Sequence, residues 1–590
     1  MPDTPWTSSA QYGSDVIVDL LKALNIEYTA FNPGSSFRGL HDSIVNYGGN
    51  RQPEAIECGH EEVSVAIAHG YAKATGRPMV AIAHDVVGLQ HASMAIFNAW
   101  CDRVPILVLG GTGPMDLTRR RPWIDWIHTA LVQGNLVRDY VKWDDQPHSL
   151  AAVPESLLRA YRTAITEPQG PVYICYDVDL QENPIAEPLS LPDPRHYLPS
   201  TPLAASPDAV QRAAEWLIQA AHPVIIADAV GRHPEVVRSL IELAELLAIP
   251  VLDQGARFNI PNTHPLDCTG AEAELLASAD VVLALDVVDL YRSLTHLDRR
   301  TRTLQPLVSD AAKIIHMSLA DFAVRSWTSD YQRLHRVDLP IAADTAVAIP
   351  QLVAACRDLI GRSTSYAEPI TARFAQLKAM HAAQRQGWRD QVRQFEGQTP
   401  LAPATVAATL WEVIKDRNWR LVHGTLQGWA RRLWEWTEPR QYLGSSGGAG
   451  VGYAVGASLG AALADKGSGR LCIDLQPDGD LLACTSALWT AAHHQIPLLM
   501  VLHNNRSLYN SEEHGVQVAR ARGRPIANAG IGTRLDEPPV DFATVARGFG
   551  IYAEGPVEDA RTLRPALERA LKVVVEEGRT ALVDVVAQPR

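Results

Sequence analysis

The sequence predicts an α/β protein made of three doubly wound parallel-sheet domains, and three observations carry that reading. Short apolar runs alternate with helical patterns along the chain, the loops begin where those runs end, and two unlike interruptions cut the alternation into thirds. Residues 1–185 form the first unit, in which helix-like "SDVIVDLLKAL" alternates with the strand-like "PMVAIAH", "VPILVLGG" and "GPVYICYDV". It closes in "DVDLQENPIAEPLSLPDPRHYLPSTPLAASP", where repeated prolines in a polar setting exclude a helix or a central strand. Residues 206–345 form the second unit, with "HPVIIAD", "IPVLD", "ADVVLALD" and "AKIIHMS" as strands. Residues 346–400 contain the amphipathic, charge-rich "TARFAQLKAMHAAQRQGWRDQVRQFEG" and read as a helical linker, a solvated helix with no function of its own. Residues 401–590 form the third unit, from "PATVAATLWEVIKD" through "RLVHG", "RLCIDLQPDGD" and "IPLLMVLHNN" to "ALVDVVAQPR". The first and third share a coarse plan, as two related halves would, and no repeat of 20–50 residues points to a solenoid.

Composition narrows the functional classes. The 590 residues are 46% hydrophobic and 20% charged, ordinary values for a globular chain that buries several cores. Asp plus Glu (66) exceed Lys plus Arg (53), giving a net charge of −13, so no nucleic-acid and no membrane partner is expected. Seven scattered cysteines without a CxxC pair suggest neither a disulfide framework nor a zinc site and fit a cytoplasmic location. The polar "MPDTPWTSSAQYGSD" does not resemble a signal peptide, and no apolar run reaches the roughly 18 residues of a membrane helix.

Two strand ends in the third unit carry oxygen ligands. Asp478 follows "LCIDL" in a Gly-containing turn, and Asn504 and Asn505 follow "PLLMVLH". The 24 residues between Gly479 and Asn504 suffice for one crossover helix and the next strand. Both ends then face the crevice beyond the carboxyl edge of a parallel sheet, where ligands bind. A carboxylate, an amide oxygen and a main-chain carbonyl are hard ligands, too few to cage calcium but suited to Mg2+ that also binds phosphate oxygens. Asp and Asn in turns are more often plain turn formers; the pair at this spacing is the more specific signal.

Here the sequence resembles the thiamine-diphosphate-dependent enzyme superfamily, whose cofactor motif is Gly-Asp-Gly followed some two dozen residues later by Asn-Asn. The resemblance implies a pyrimidine-binding first domain, a central domain and a diphosphate-binding third domain. It implies Mg2+ held by Asp478, Asn505 and the carbonyl of Ser507, with Gly479, Asp480, Leu508 and Tyr509 among the cofactor contacts. Pro477 stands where the family has its first glycine, and lacking an N–H it leaves diphosphate contact at this turn to Gly479 and Asp480. "IECGHEEVSVAIAHGYAKATGRP" is similar to the segment bearing the glutamate that hydrogen-bonds the aminopyrimidine, and that residue is Glu61, with His60 beside it. Alone, Glu61 and Glu62 near a helix start are explained by the helix dipole. In "YLGSSGGAGVGYAVGASLGAAL" a dinucleotide loop lacks its strand and acidic partner. The resemblance instead makes Val451 the wedge between the two cofactor rings, with the main chain of Ala449 at the pyrimidine. "HGTLQGW" is similar to the diphosphate loop and nominates Thr425 and Leu426. The superfamily builds each site from two subunits, implying a homodimer or homotetramer.

Within the superfamily the chain looks most like the decarboxylase and acetolactate synthase branch, and "TSALWTAAHHQIPLLMVLHNN" is especially similar to benzoylformate decarboxylases. "FNPGSS" and "AHDVVGLQHASMAIFNAW" then nominate Ser35 to bind the substrate carboxylate or carbonyl and His84 to shuttle protons. For His84 alone, the plain alternative is a hydrogen-bonded histidine at a strand end. Gln90, His91 and Tyr509 are pocket neighbours without a firm match, and Glu512, Glu513 and His514 read as an exposed charge cluster. The implied reaction runs through a ylid and an enamine, cleaving or forming a carbon–carbon bond of a 2-oxo acid. The alternatives are an acetolactate synthase-like transferase, which commonly carries a flavin and is then yellow, a 2-hydroxyacyl-CoA lyase, and a non-catalytic cofactor-binding protein. The substrate is accordingly a 2-oxo acid, an aldehyde or an acyl-CoA. FAD or ADP in the central domain is compatible with the resemblance but not expected. The Trp- and charge-rich segment 119–147 has no assigned role beyond an interface.

Overall fold

The computed structural model describes residues 6–589 apart from 123–126, 188, 299–300, 324–330, 332 and 363. In the first domain, strands β1 (Tyr28–Phe31), β2 (Glu54–Glu57), β3 (Met79–Ala83), β4 (Ile106–Thr112), β5 (Asp144–Asp145) and β6 (Val172–Asp177) form one parallel sheet in the order β2-β1-β3-β4-β6-β5. The central sheet, β7 (Pro223–Ala227), β8 (Val251–Asp253), β9 (Val281–Leu285), β10 (Lys313–Met317) and β11 (Leu339–Ile341), is parallel in the order β8-β7-β9-β10-β11. The third sheet, β12 (Trp419–His423), β13 (Leu471–Pro477), β14 (Leu499–Asn504), β15 (Tyr552–Val557) and β16 (Ala581–Val586), runs β12-β13-β14-β16-β15. Removing the edge strand β2 leaves the first sheet with the same order as the third, so the two are structural counterparts. Every residue of β3, β4 and β14 is buried, which is why these strands read as unbroken apolar runs rather than alternating ones.

Two helices join the first and third domains. Helix α1 (Glu61–Thr75) follows β2, helix α2 (Asp85–Cys101) follows β3, α3 (Ala367–Arg393) precedes the third domain, and α4 (Tyr453–Ala464) crosses beneath its Gly-rich loop. Residues Tyr453 to Leu463 of α4 are all buried, matching a sequence that is apolar on every side. Glycines let the α1 and α4 backbones touch: a Cβ at Gly70 would lie 1.9 Å from the Ala457 carbonyl oxygen, and one at Gly460 would lie 1.9 Å from that of Ile67. Val63, Ile67 and Tyr71 thereby share one core with Val455, Leu459 and Ala462.

Buried ion pairs fix the central domain to both neighbours. Arg232 meets Glu167 of the first domain at 3.1 Å, and Arg431 of the third meets Asp253 at 3.0 Å and Asp267 at 3.1 Å. Such pairs are better at specifying orientation than at adding stability. The segment read as a linker is more than a solvated helix. Helix Thr345–Ile360 sends Ile349, Leu352 and Cys356 into the central core, so that core continues past residue 345. Helix α3 buries His381 and Arg385, whose side chains reach the main chain of Asp267, Asn262 and Trp434, tying the central domain to the third.

Candidate active site

The carboxyl edge of the third sheet collects two buried acids, Asp478 and Asp584. Strand β13 ends at Pro477, and its backbone turns directly into α5 (Asp478–Ala483), so Asp478 sits at a helix start and is buried. Its Oδ1 accepts the Gly479 N–H at 2.8 Å, while its Oδ2 is buried without a hydrogen-bond partner. Burial pushes the carboxyl up to about 6, against the pull of the backbone N–H groups of Gly479, Arg506 and Ser507, which places Asp478 against the turn after β14. In that turn Asn505 Oδ1 accepts the Ser507 N–H at 2.9 Å, and Leu508 packs so closely that a Cβ on Gly479 would meet its Cδ2 at 2.3 Å. Asp584, on the neighbouring strand β16, is likewise pushed up to about 6 by burial and leaves Oδ2 unpartnered. An orphaned carboxylate oxygen beside an amide oxygen and a main-chain carbonyl is a donor set that fits Mg2+.

The surrounding loops are shaped for an anion. After β12 the backbone is left-handed at Gly424 (φ 81°), Leu426 (φ 49°), Gln427 (φ 58°) and Gly428 (φ 86°), the kind of turn that gathers peptide N–H groups around a phosphate. Thr425 Oγ1 accepts the Gly428 N–H at 3.1 Å, and the Leu426 side chain is buried, so Leu426 offers main chain only. Asp480 does not face a phosphate with its carboxylate, which caps α4 by accepting N–H groups of Gly452 at 2.6 Å and Ala454 at 3.2 Å. The Gly-rich loop before α4 is bolted to the first domain: Asp102 accepts the Gly447 N–H at 2.7 Å and Lys73 Nζ at 2.7 Å, and Lys73 also reaches the Ser445 carbonyl at 3.1 Å. Burial opposes charge on Asp102, but Lys73 and His69 hold its carboxyl well below the usual range. This clamp sets Ala449, left-handed at φ 50°, and Val451, whose side chain is 55% exposed.

The first domain gathers a second constellation, again at strand ends. Glu61 opens α1 and is buried, with Asn32 Nδ2 donating to Oε1 at 3.1 Å and His91 Nδ1 lying 3.2 Å from Oε2. His60 caps the same helix by accepting the Glu62 N–H at 3.2 Å, and its ring stacks on His91 at 4.8 Å. His84 closes β3. A Cβ added at Gly88 would sit 2.9 Å from Glu61 Oε1 and 3.1 Å from His84 Cβ, so Glu61 and His84 share one wall. Glu62, the neighbouring acid, points to the third domain instead: a Cβ on Gly452 would meet its Oε1 at 2.9 Å, and burial followed by repulsion from Asp480 raises its carboxyl to about 6.

Sequence reasoning chose Ser35, but its neighbour Ser36, 1% exposed, is the serine on His84, with Oγ 2.9 Å from Nδ1. Ser35 lies half-buried in the same turn. His128 was not singled out; its Nδ1 is 3.2 Å from His84 Nε2. It belongs to the Trp-rich segment, of which residues 123–126 lie outside the described residues. Asn32 was missed as well, although its place one residue past β1 is a strand-end signal. Gln90 is exposed, and Glu512 is held by Ser507 Oγ at 2.7 Å and Arg534 rather than forming a free charge cluster. Tyr509 opens helix α6 (Tyr509–Ala521), which has no buried residue.

A three-domain α/β protein with buried acids at the strand ends of its third sheet and an acid–histidine wall on its first has the plan of a cofactor-dependent class of proteins. The chain belongs to the thiamine pyrophosphate enzyme family, matching its "N-terminal TPP binding domain" over residues 11–135, its "central domain" over 210–352 and its "C-terminal TPP binding domain" over 423–585. It is 26% identical to an acetolactate synthase large subunit of Corynebacterium glutamicum, covering 95% of this chain and 85% of that protein. It is 25% identical to a benzoylformate decarboxylase of Pseudomonas aeruginosa, covering 90% of this chain and 91% of that protein. Its fold superposes on the structure of benzoylformate decarboxylase from Polynucleobacter necessarius with a TM-score of 0.76 at 18% identity, over 98% and 99% of the two chains. Among the described residues no helix is long and apolar enough to cross a membrane.

Proposed function

We propose that the chain is a 2-oxo acid decarboxylase or carboligase that works with thiamine diphosphate and Mg2+. The observation that carries this reading is the orphaned Asp478 Oδ2 in the turn of Asn505 and Ser507, together with Glu61 and His84 on one wall. Asp478, Asn505 and the Ser507 carbonyl would hold the metal, and Thr425, Leu426, Gly479 and Asp480 would meet the diphosphate through main chain or hydroxyl. Thiamine diphosphate, when bound, supplies a nucleophilic carbon and an electron sink for the bond being cleaved. Glu61 would hydrogen-bond the aminopyrimidine, Val451 would separate the rings, half-buried Ser35 would meet the substrate, and buried Ser36 would hold the His84 ring from behind.

Uncovered apolar side chains support a second copy across the site. Val451, Leu482 and Leu508 are exposed near the cofactor end of the third domain, as are Leu117, Ile127 and Leu131 on the first. A homodimer, or a pair of them, would cover both faces and complete each site from two chains.

An acetolactate synthase-like transferase is the second reading, favoured by relatives that match at equal identity. Incubation with thiamine diphosphate, Mg2+ and a panel of 2-oxo acids, aldehydes and acyl-CoA donors separates the readings by product. Aldehyde and CO2 support decarboxylation, whereas a 2-hydroxy-2-acyl acid and a yellow protein support the transferase. Turnover unchanged by Glu61→Gln would overturn both.

A further inference from the structure

We infer that the proton used at this site is presented by Nε2 of His128, with His84 behind it as a relay. The inference rests on the proposed reading, in which an electron-rich substrate carbon must be protonated. Two groups of Ser36 address His84 Nδ1: the backbone N–H at 3.4 Å and the hydroxyl at 2.9 Å. An N–H only donates, so Nδ1 accepts, and the neutral ring carries its proton on Nε2. That nitrogen is 3.2 Å from His128 Nδ1, so His84 donates and His128 accepts. The proton of neutral His128 is therefore on Nε2. Both nitrogens of His84 are engaged by protein groups; among the described residues no hydrogen bond or ion pair engages His128 Nε2. The end of the chain is His128.

His128 is held for this task. Its carbonyl accepts the Val86 N–H at 3.1 Å in the first turn of α2, and the next residue, Thr129, accepts the Gly113 N–H on Oγ1 at 3.3 Å just past β4. The two rings meet edge to face, 5.3 Å apart and inclined at 75°. The two strand ends thus fix the place of His128.

The proton balance is simple. Loaded, the pair carries three ring N–H groups, two on His84 and one on His128 Nε2. The added charge on His84 faces the Asp85 carboxylate, 3.8 Å from Nδ1, and the Ser36 hydroxyl, which turns to accept; the other acid on this wall is Glu61. On delivery the N–H bond of His128 Nε2 breaks, and the electron pair of the substrate carbon takes the proton to form a C–H bond. The His84 Nε2 proton moves to His128 Nδ1, which leaves both rings neutral with their protons on Nδ1 for that moment of turnover. Water then protonates His128 Nε2, and the His128 Nδ1 proton returns to His84 Nε2 to restore the loaded pair. The resting tautomers are therefore read in protein without cofactor or substrate.

The test has two parts. Nitrogen-15 NMR of histidine-labelled protein, without cofactor and assigned with His84→Gln and His128→Gln, should show both rings as the Nε2–H tautomer at neutral pH. An Nδ1–H form of either ring would overturn the relay. With thiamine diphosphate, Mg2+ and a 2-oxo acid that wild type turns over, His128→Gln should slow aldehyde release about 100-fold. His84→Gln should slow it less, because the glutamine amide still donates to His128. The reverse ranking would make His84 the terminal acid and sink the inference. Deuterium exchange at the reactive ring carbon of the cofactor is measured alongside: a wild type that fails to accelerate it sinks the cofactor reading instead.

Discussion

Replacing Gly70 with alanine tests how the two halves of the site are held together. The new methyl would start 1.9 Å from the carbonyl oxygen of Ala457 and 2.5 Å from its carbonyl carbon, both of them backbone atoms that no rotamer change can move. Ordinary carbon–oxygen contact needs roughly 3.3 Å, so α1 and α4 must part by about 1.4 Å at the seam. Overpacking of a dense core costs about 1–3 kcal/mol, and the parting also loosens the equally close approach of Gly460 to Ile67. Alanine gains about 1 kcal/mol over glycine as a helix former, which offsets part of this. A net loss of about 1 kcal/mol lowers the melting temperature by about 2 °C. The larger effect should be on function, because α1 begins at Glu61 and α4 follows Val451, and a displacement of about 1 Å between positioned groups costs on the order of 100-fold in rate. Thermal melts, cofactor titration and turnover together decide the matter. A Gly70→Ala protein as stable and active as wild type would refute the claim that this seam sets the site.

Two further outcomes are expected. Burial drives His69 down to about 4, so the folded protein binds a proton there less readily than the unfolded chain. Its contribution is complete above about pH 6.5 and is lost as pH falls toward 4, amounting to about 2 kcal/mol at pH 5; urea midpoints at pH 7 and pH 5 should show this loss, and His69→Gln should shrink it. Asp480→Ala removes the acceptor for the Gly452 and Ala454 N–H groups and should cost about 1 kcal/mol of stability, read by chemical denaturation, with Asp480→Asn retaining part of it.

The strands were legible because the parallel sheets are buried on both faces and appear as unbroken apolar runs; the ligand-bearing turns followed from where the runs stop. Asp478, Asn505 and Glu61 were nominated that way, with a resemblance to suggest their roles. What escaped was set by tertiary direction. "GSS" gives Ser35 and Ser36 the same chemistry, and only the turn after β1 decides that Ser36 points inward. His128 lies in a segment without periodicity, anchored by one backbone bond from Val86 that has no sequence signature. Asp480 reads as a cofactor neighbour by position, yet the peptide N–H groups of Gly452 and Ala454 draw its carboxylate back onto α4. The long helix α3 looks solvated because only three of its residues are buried, and two of those are the polar His381 and Arg385.

The central claim is that the Asp478–Asn505 turn holds a divalent cation that in turn holds a diphosphate. Titration calorimetry of thiamine diphosphate into the protein, with and without Mg2+, compares wild type with Asp478→Asn. The account predicts metal-dependent binding that the substitution weakens about 100-fold or more, while the unliganded variant melts no lower than wild type because a buried, orphaned carboxylate has been removed. Binding that is equally tight without Mg2+, or that survives Asp478→Asn unchanged, would contradict it.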